Sequence, residues 1–115
     1  MLKKFTPVTG KVVFESYVYL PNENDKAYVS LKNGTEDAVK VELGNGIVSC
    51  KDISRSIKHN LWQIVHIEAD TNANKAEIFI NGKSIGTVKM TADNFDAIEL
   101  RYDGGEDAGK CYFDD

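Results

Sequence analysis

The first question is whether any side chains are spaced for catalysis. Glycoside hydrolysis needs two carboxylates held at a fixed separation on either side of the scissile bond. Glu15, Glu42, Glu68, Glu77 and Glu99 stand singly on strand-like segments. The acidic cluster Asp103, Glu106 and Asp107 falls in a glycine-rich turn, not on a rigid element. The two histidines, His59 and His66, have no GxSxG elbow to serve, so a Ser-His-Asp triad is not expected. His66 alternates with Trp62, Ile64 and Glu68 and reads as a half-buried packing or surface residue, with His59 in a loop. The expectation is a chain that does not catalyse.

Recognition chemistry is better represented. Tyr17 and Tyr19 share a strand face with Glu15, opposite an apolar set. Tyr28 lies on the polar side of a second strand, and Glu99 and Arg101 on that of a third. If these strands share one concave sheet, aromatic platforms stand beside carboxylate and guanidinium hydrogen-bonding groups. Sugar recognition needs that combination of flat apolar contact and directional bonds to hydroxyls. The alternative is a solvated face carrying cross-strand Tyr–Lys and Glu–Arg pairs. Trp62 also has two readings: a stacking platform for a sugar ring, or, as the only Trp of a short chain, a packing anchor. For a hard cation such as calcium, the candidate oxygen ligands are Asp103, Glu106 and Asp107. Asn22, Asn24 and Asp25, or Asp114 and Asp115, are further options, though none reproduces an EF-hand loop and acid-rich turns are ordinarily just solvated.

These residues sit on a succession of short strand patterns. "KVVFESYVYL" alternates, with Val12, Phe14, Ser16, Val18 and Leu20 on the core side. "KAYVSLK" puts Ala27, Val29 and Leu31 on one face, and "AVKVEL" does the same with Val39, Val41 and Leu43. "LWQIVHIEAD" and "KAEIFI" follow, then "KSIGTVKM", "AIELRY" and "GKCYFDD". Asn33-Gly34, Asn45-Gly46 and Asn81-Gly82 mark tight turns, because Asn and Gly tolerate the positive φ that hairpins require. The polar segment "KDISRSIKHN" reads as one helical turn or a crossing loop, with Ile53 and Ile57 four apart. The sum is about nine short strands joined mainly by hairpins, which predicts an all-β antiparallel β-sandwich or barrel.

Composition narrows the partners. The 115 residues carry a net charge of −4 and form one domain, residues 1–115. Mild acidity argues against nucleic acid, which needs a clustered basic face. No apolar run is long enough to span a membrane. Met1-Leu2-Lys3-Lys4 opens like a signal peptide, but Phe5-Thr6-Pro7 follows where an apolar stretch is required. Cys50 and Cys111 lack zinc-site spacing and are either two buried free thiols or a disulfide between distant strands. The sequon Asn33-Gly34-Thr35 matters only in a eukaryotic secretory pathway.

Three stretches in order carry a family resemblance: "VTGKVVFESYVYLP", "LWQIVHIEADTNANKAEIFINGKSIG" and "FDAIELRYDGGEDAGKCYFDD". Together they resemble the concanavalin A-like lectin/glucanase jelly rolls, and within them the laminin-G-like subset. The likeness covers most of the chain and is carried chiefly by the Trp62–Gly86 block. It implies a non-catalytic carbohydrate-binding module of a secreted or cell-surface, polysaccharide-active protein, with calcium as its usual metal and other modules of the parent chain as neighbours. The alternatives are a laminin-G-like adhesion module that binds protein, or a spacer without a ligand. Glucanases of this fold carry a Glu-x-Asp-x-x-Glu strand motif, which is not found here. The chain is shorter than most members. It reads as lacking a strand before Gly10 and stopping within its last strand, as a trimmed fragment or minimal version would.

Overall fold

The computed structural model describes residues 2–20, 25–58, 60–90, 92–103 and 111–114, with Asp103 and 111–114 described by their backbone alone. The described residues form eleven strands: β1 (Leu2–Val8), β2 (Lys11–Tyr19), β3 (Lys26–Asn33), β4 (Glu36–Gly44), β5 (Ile47–Cys50), β6 (Ile53–Ser56), β7 (Trp62–Asp70), β8 (Lys75–Ile80), β9 (Lys83–Lys89), β10 (Phe95–Asp103) and β11 (Cys111–Asp114). They make a six-stranded sheet A in the order β1-β10-β3-β4-β5-β6 and a five-stranded sheet B in the order β11-β2-β7-β8-β9. Every pairing is antiparallel, from β1 with β10 to β8 with β9.

Alternation decides what each sheet buries. Val29 and Leu31 from β3 and Val39, Val41 and Leu43 from β4 are essentially inaccessible on the inner face of sheet A. Phe14, Val18, Val65, Ile67 and Ile78 meet them from sheet B. Each such side chain contributes roughly 1.5–3 kcal/mol on leaving water, so a one-residue slip of any strand would expose the whole set. Two of the Asn-Gly pairs are two-residue hairpin loops with both central residues at positive φ: Asn45 (53°) with Gly46 (76°), and Asn81 (53°) with Gly82 (85°).

Two expectations from the sequence are overturned. A strand does precede Gly10: β1 pairs with β10 as the edge of sheet A. Its Lys3, Lys4 and Pro7 look unlike a strand, but an edge needs no ladder donor on its free side and tolerates Pro and charge. A break in register between Lys4 and Val8 flanks the proline. The segment around Ile53 is neither a helical turn nor a loop but β6, the opposite edge of sheet A, paired residue for residue with β5. Its polar residues are exposed, and Ile53 alone of the four turns partly inward.

Cys50 is a free thiol on β5, and burial pushes its pKa up against weaker lowering influences from the Lys40 backbone and Lys51. The disulfide alternative therefore does not hold for Cys50.

Candidate functional site

The β2–β7 register builds the site. Tyr19 stands opposite Trp62, Tyr17 opposite Ile64, Glu15 opposite His66 and Val13 opposite Glu68. Their inward neighbours Ser16, Val18, Gln63, Val65 and Ile67 are buried, so all eight belong to the outer face of sheet B. Trp62 is not a core anchor: it remains 45% exposed. Its position on the outward phase of β7 outweighs the general tendency of a lone Trp to be buried. Its ring lies 5.4 Å from that of Tyr19, inclined at 47°. The Tyr19 hydroxyl donates to Asn60 Oδ1, which fixes the second ring.

Beside the pair is a shallow depression of about 430 Å³ lined by Tyr17, Trp62, Ile64 and Asn81. Asn81 does more than shape its turn. Its Oδ1 accepts from the Ile64 amide and its Nδ2 donates to Gln63 Oε1, both at 2.8 Å, while its own amide donates to the Ile64 carbonyl at 2.9 Å. The hairpin tip is thereby tied to the start of β7, and the wall of the depression is rigid.

Further along the same face His66 lies between two carboxylates. Nδ1 is 3.0 Å from Glu15 Oε2 and Nε2 is 3.0 Å from Glu68 Oε2. Phe79 meets the imidazole edge-on at 5.3 Å. Burial alone would lower the His66 pKa, but the hydrogen bonds and charges of Glu15 and Glu68 outweigh it and the net shift is upward. An imidazolium with both N–H groups donating satisfies both acids at once. Each carboxylate keeps a second oxygen for an outside donor such as a hydroxyl. Glu77, on β8, accepts from Ser84 Oγ at 2.7 Å.

The single concave site expected from the sequence is divided. Tyr17, Tyr19 and Trp62 share sheet B, but Tyr28, Glu99 and Arg101 lie on sheet A, on the opposite outer face. There Tyr28 is flanked by Lys40 Nζ at 4.8 Å and Arg101 at 5.3 Å from its ring centroid. Glu99 faces Lys32 at 3.9 Å. These are the cross-strand pairs of a solvated face, with the tyrosine ring already engaged by cations. Of the candidate calcium ligands, Glu106 and Asp107 lie outside the described residues, as do Asn22, Asn24, Asp115 and the loop histidine His59; Asp103 and Asp114 are described by backbone alone. Asp25 is buried. Among the described residues no group of His, Cys, Asp or Glu is placed to hold a metal ion. Sequence reasoning passed over Asn81 and Ile64 as site residues; the alternation of β7 marks Ile64, but nothing local marks Asn81 as more than a turn.

A model described as a domain of unknown function (DUF4982) matches residues 63–106, from β7 into the segment after β10. No curated protein matches the chain in sequence. Solved structures do match in shape. A sialidase superposes with a TM-score of 0.74 at 12% identity, over 90% of this chain and 10% of its own. Sheep galectin-11, in complex with glycerol, superposes with a TM-score of 0.71 at 12% identity, over 100% of this chain and 93% of its own. An alginate lyase from Corynebacterium sp. gives 0.60 at 15% identity, over 95% of this chain and 56% of its own. The chain thus spans about a tenth of the sialidase and nearly all of the galectin. The fold is the concanavalin A-like jelly-roll sandwich of the lectins and glucanases.

Proposed function

We propose that this chain is a non-catalytic carbohydrate-binding module that holds its ligand on the outer face of sheet B. The observation that carries the reading is the clustering of Tyr17, Tyr19 and Trp62 on paired strands, with Tyr17 and Trp62 lining one depression. Aromatic rings stack on the apolar faces of pyranoses, and Glu15, Glu68 and Asn81 offer fixed hydrogen-bonding groups beside them. The lectin-type fold supports the reading. That the outer-face acids Glu15 and Glu68 are tied to His66, and Glu77 to Ser84, supports binding over hydrolysis. The small share of the sialidase that the chain covers supports a module within a longer, extracellular or surface-exposed, polysaccharide-active protein. The laminin-G-like subset and a loop-held calcium ion belong to the same proposal.

The test is a pull-down on insoluble polysaccharides and titration calorimetry on soluble ones, with Trp62→Ala and Tyr17→Ala beside the wild type. Trp62 is 45% exposed. If a sugar ring covers ~60 Å² of it at ~25 cal/mol per Å², truncation costs ~1.5 kcal/mol, or about tenfold in Kd. Tyr17→Ala, at a half-buried ring, is expected to cost less. Absence of binding to every polysaccharide overturns the reading, in favour of an adhesion module or spacer. Undiminished binding by both variants overturns the site.

A further inference from the structure

The sandwich is open along one side, where edge strand β6 of sheet A faces edge strand β9 of sheet B. At one end the edges touch: a Cβ placed on Gly86 would lie 3.1 Å from Ile53 Cγ2. Towards Arg55 and Lys83 they part, leaving a cleft of about 580 Å³. Its floor is apolar, formed by the core residues Val48, Ile80 and Ile85. Leu61, 52% exposed, stands at its mouth. Gln63 in the wall is 4% exposed and held by the Lys58 carbonyl and Asn81, so the wall is fixed.

The rim carries Arg55, Lys58 and Lys83, and no Asp or Glu among the described residues lines the cleft. That is against the balance of the chain, which has 18 acidic and 14 basic residues. The ion pairs among the described residues join other side chains: Lys26–Glu42, Lys32 with Asp37 and Glu99, and His66 with Glu15 and Glu68. Arg55 Nη1 donates to the neighbouring Ser54 carbonyl. Three cations around a low-dielectric opening focus a positive field where an anion would enter.

The cleft adjoins the outer face at Asn81. Asn81 lines both the cleft and the aromatic depression, and Leu61 at the cleft mouth precedes Trp62. We infer that the two form one track over the Asn81-Gly82 turn, and that its ligand is an anionic saccharide. A sugar on Trp62 and Tyr17 places a neighbouring residue of the same chain over Leu61, with its carboxylate or sulfate among Arg55, Lys58 and Lys83. This rests on the reading of sheet B as a saccharide-binding face and adds the class of sugar.

The test is calorimetric titration with polygalacturonate (carboxylate), dextran sulfate (sulfate) and dextran (neutral). The wild type is compared with a cleft variant, Arg55→Gln/Lys58→Gln/Lys83→Gln, and with a control of equal charge, Lys11→Gln/Lys75→Gln/Lys89→Gln, at the far end of sheet B. The cleft residues are exposed, and thermal melts confirm that the variants fold; the single reversal Lys83→Glu is a second probe. Loss of three charge-assisted contacts predicts at least about a tenfold weaker Kd for one or both anionic polymers in the cleft variant. The control is expected to change by less than about twofold, since exposed charges away from the site are screened. Which polymer responds identifies carboxylate or sulfate as the favoured group. Equal weakening by control and cleft variants overturns the inference, as does equal affinity for dextran and both anionic polymers. Binding of dextran alone, lost in Trp62→Ala, overturns the inference and leaves the face reading standing. Binding to none of the three, nor to any other polysaccharide, overturns both.

Discussion

Gly86 holds the seam beside the cleft closed, and replacing it should open the molecule there. It lies on β9 at φ +141°, a conformation that L side chains rarely adopt, next to a register shift between Ile78 and Phe79 on β8. An added Cβ would stand 3.1 Å from Ile53 Cγ2 and 3.2 Å from Cδ1. Two costs follow from Gly86→Ala. The backbone must hold a strained φ or rearrange, at ~1–3 kcal/mol. Ile53, half-buried on an edge strand, must also move by a few tenths of an ångström, and crowding of this kind costs about 1 kcal/mol when the neighbour can give. The sum is ~2–4 kcal/mol. For a domain of 115 residues, each kcal/mol moves Tm by ~4 °C, so the melting point should fall by roughly 8–16 °C. Circular-dichroism melts and urea unfolding measure it. The cycle with Ile53→Ala separates the two costs, because Ala removes both crowded atoms. In that background Gly86→Ala should lose the crowding cost and retain the backbone cost. An unchanged Tm in the single variant refutes the whole argument. An equal cost in both backgrounds refutes the seam contact and leaves only backbone strain.

Two further outcomes follow from the outer and inner faces of sheet B. Burial opposes protonation of His66, but Glu15 and Glu68 raise its pKa above the ordinary 6.5. The stabilisation is therefore complete below that value and lost as pH rises through the raised folded value; Tm should fall across this window in the wild type and stay level in His66→Gln, and equal slopes would contradict the cluster. Ser16 is fully buried between Val65 and β11 in register, and its Oγ has no hydrogen-bond partner among the described residues. Ser16→Ala removes that unpaired group and should stabilise by about 1 kcal/mol in urea unfolding, whereas a loss of stability would show that the hydroxyl is satisfied.

Strand phase was legible because it is local. Phe14, Val18 and Leu20, or Val39, Val41 and Leu43, announce their buried face by alternation alone. The hairpins were legible for the same reason, since Asn45-Gly46 and Asn81-Gly82 meet a geometric demand within two residues. The phase of β7 also carried more than was first read from it: Trp62 is on the His66 and Glu68 side, and that outward phase is the better guide to its exposure than its size. Sheet membership is a different kind of fact. Tyr17 and Tyr28 have equivalent patterns, yet β2 and β3 go to opposite sheets. That partition depends on which distant strand each one pairs with, as when β2 meets β7 to bring Glu15 to His66. Edges are the least legible of all. β1 and β6 lack the β-branched alternation because their free sides must discourage further pairing, and polar or charged residues do that. The consequence bears on function. Arg55 comes from an edge strand, Lys58 from a connection and Lys83 from a hairpin tip, and none is conspicuous in an acidic chain. They become one field only because two edges, each protected by its own charges, are brought face to face. The same residues that keep an edge soluble then become available to recognise a ligand of opposite charge.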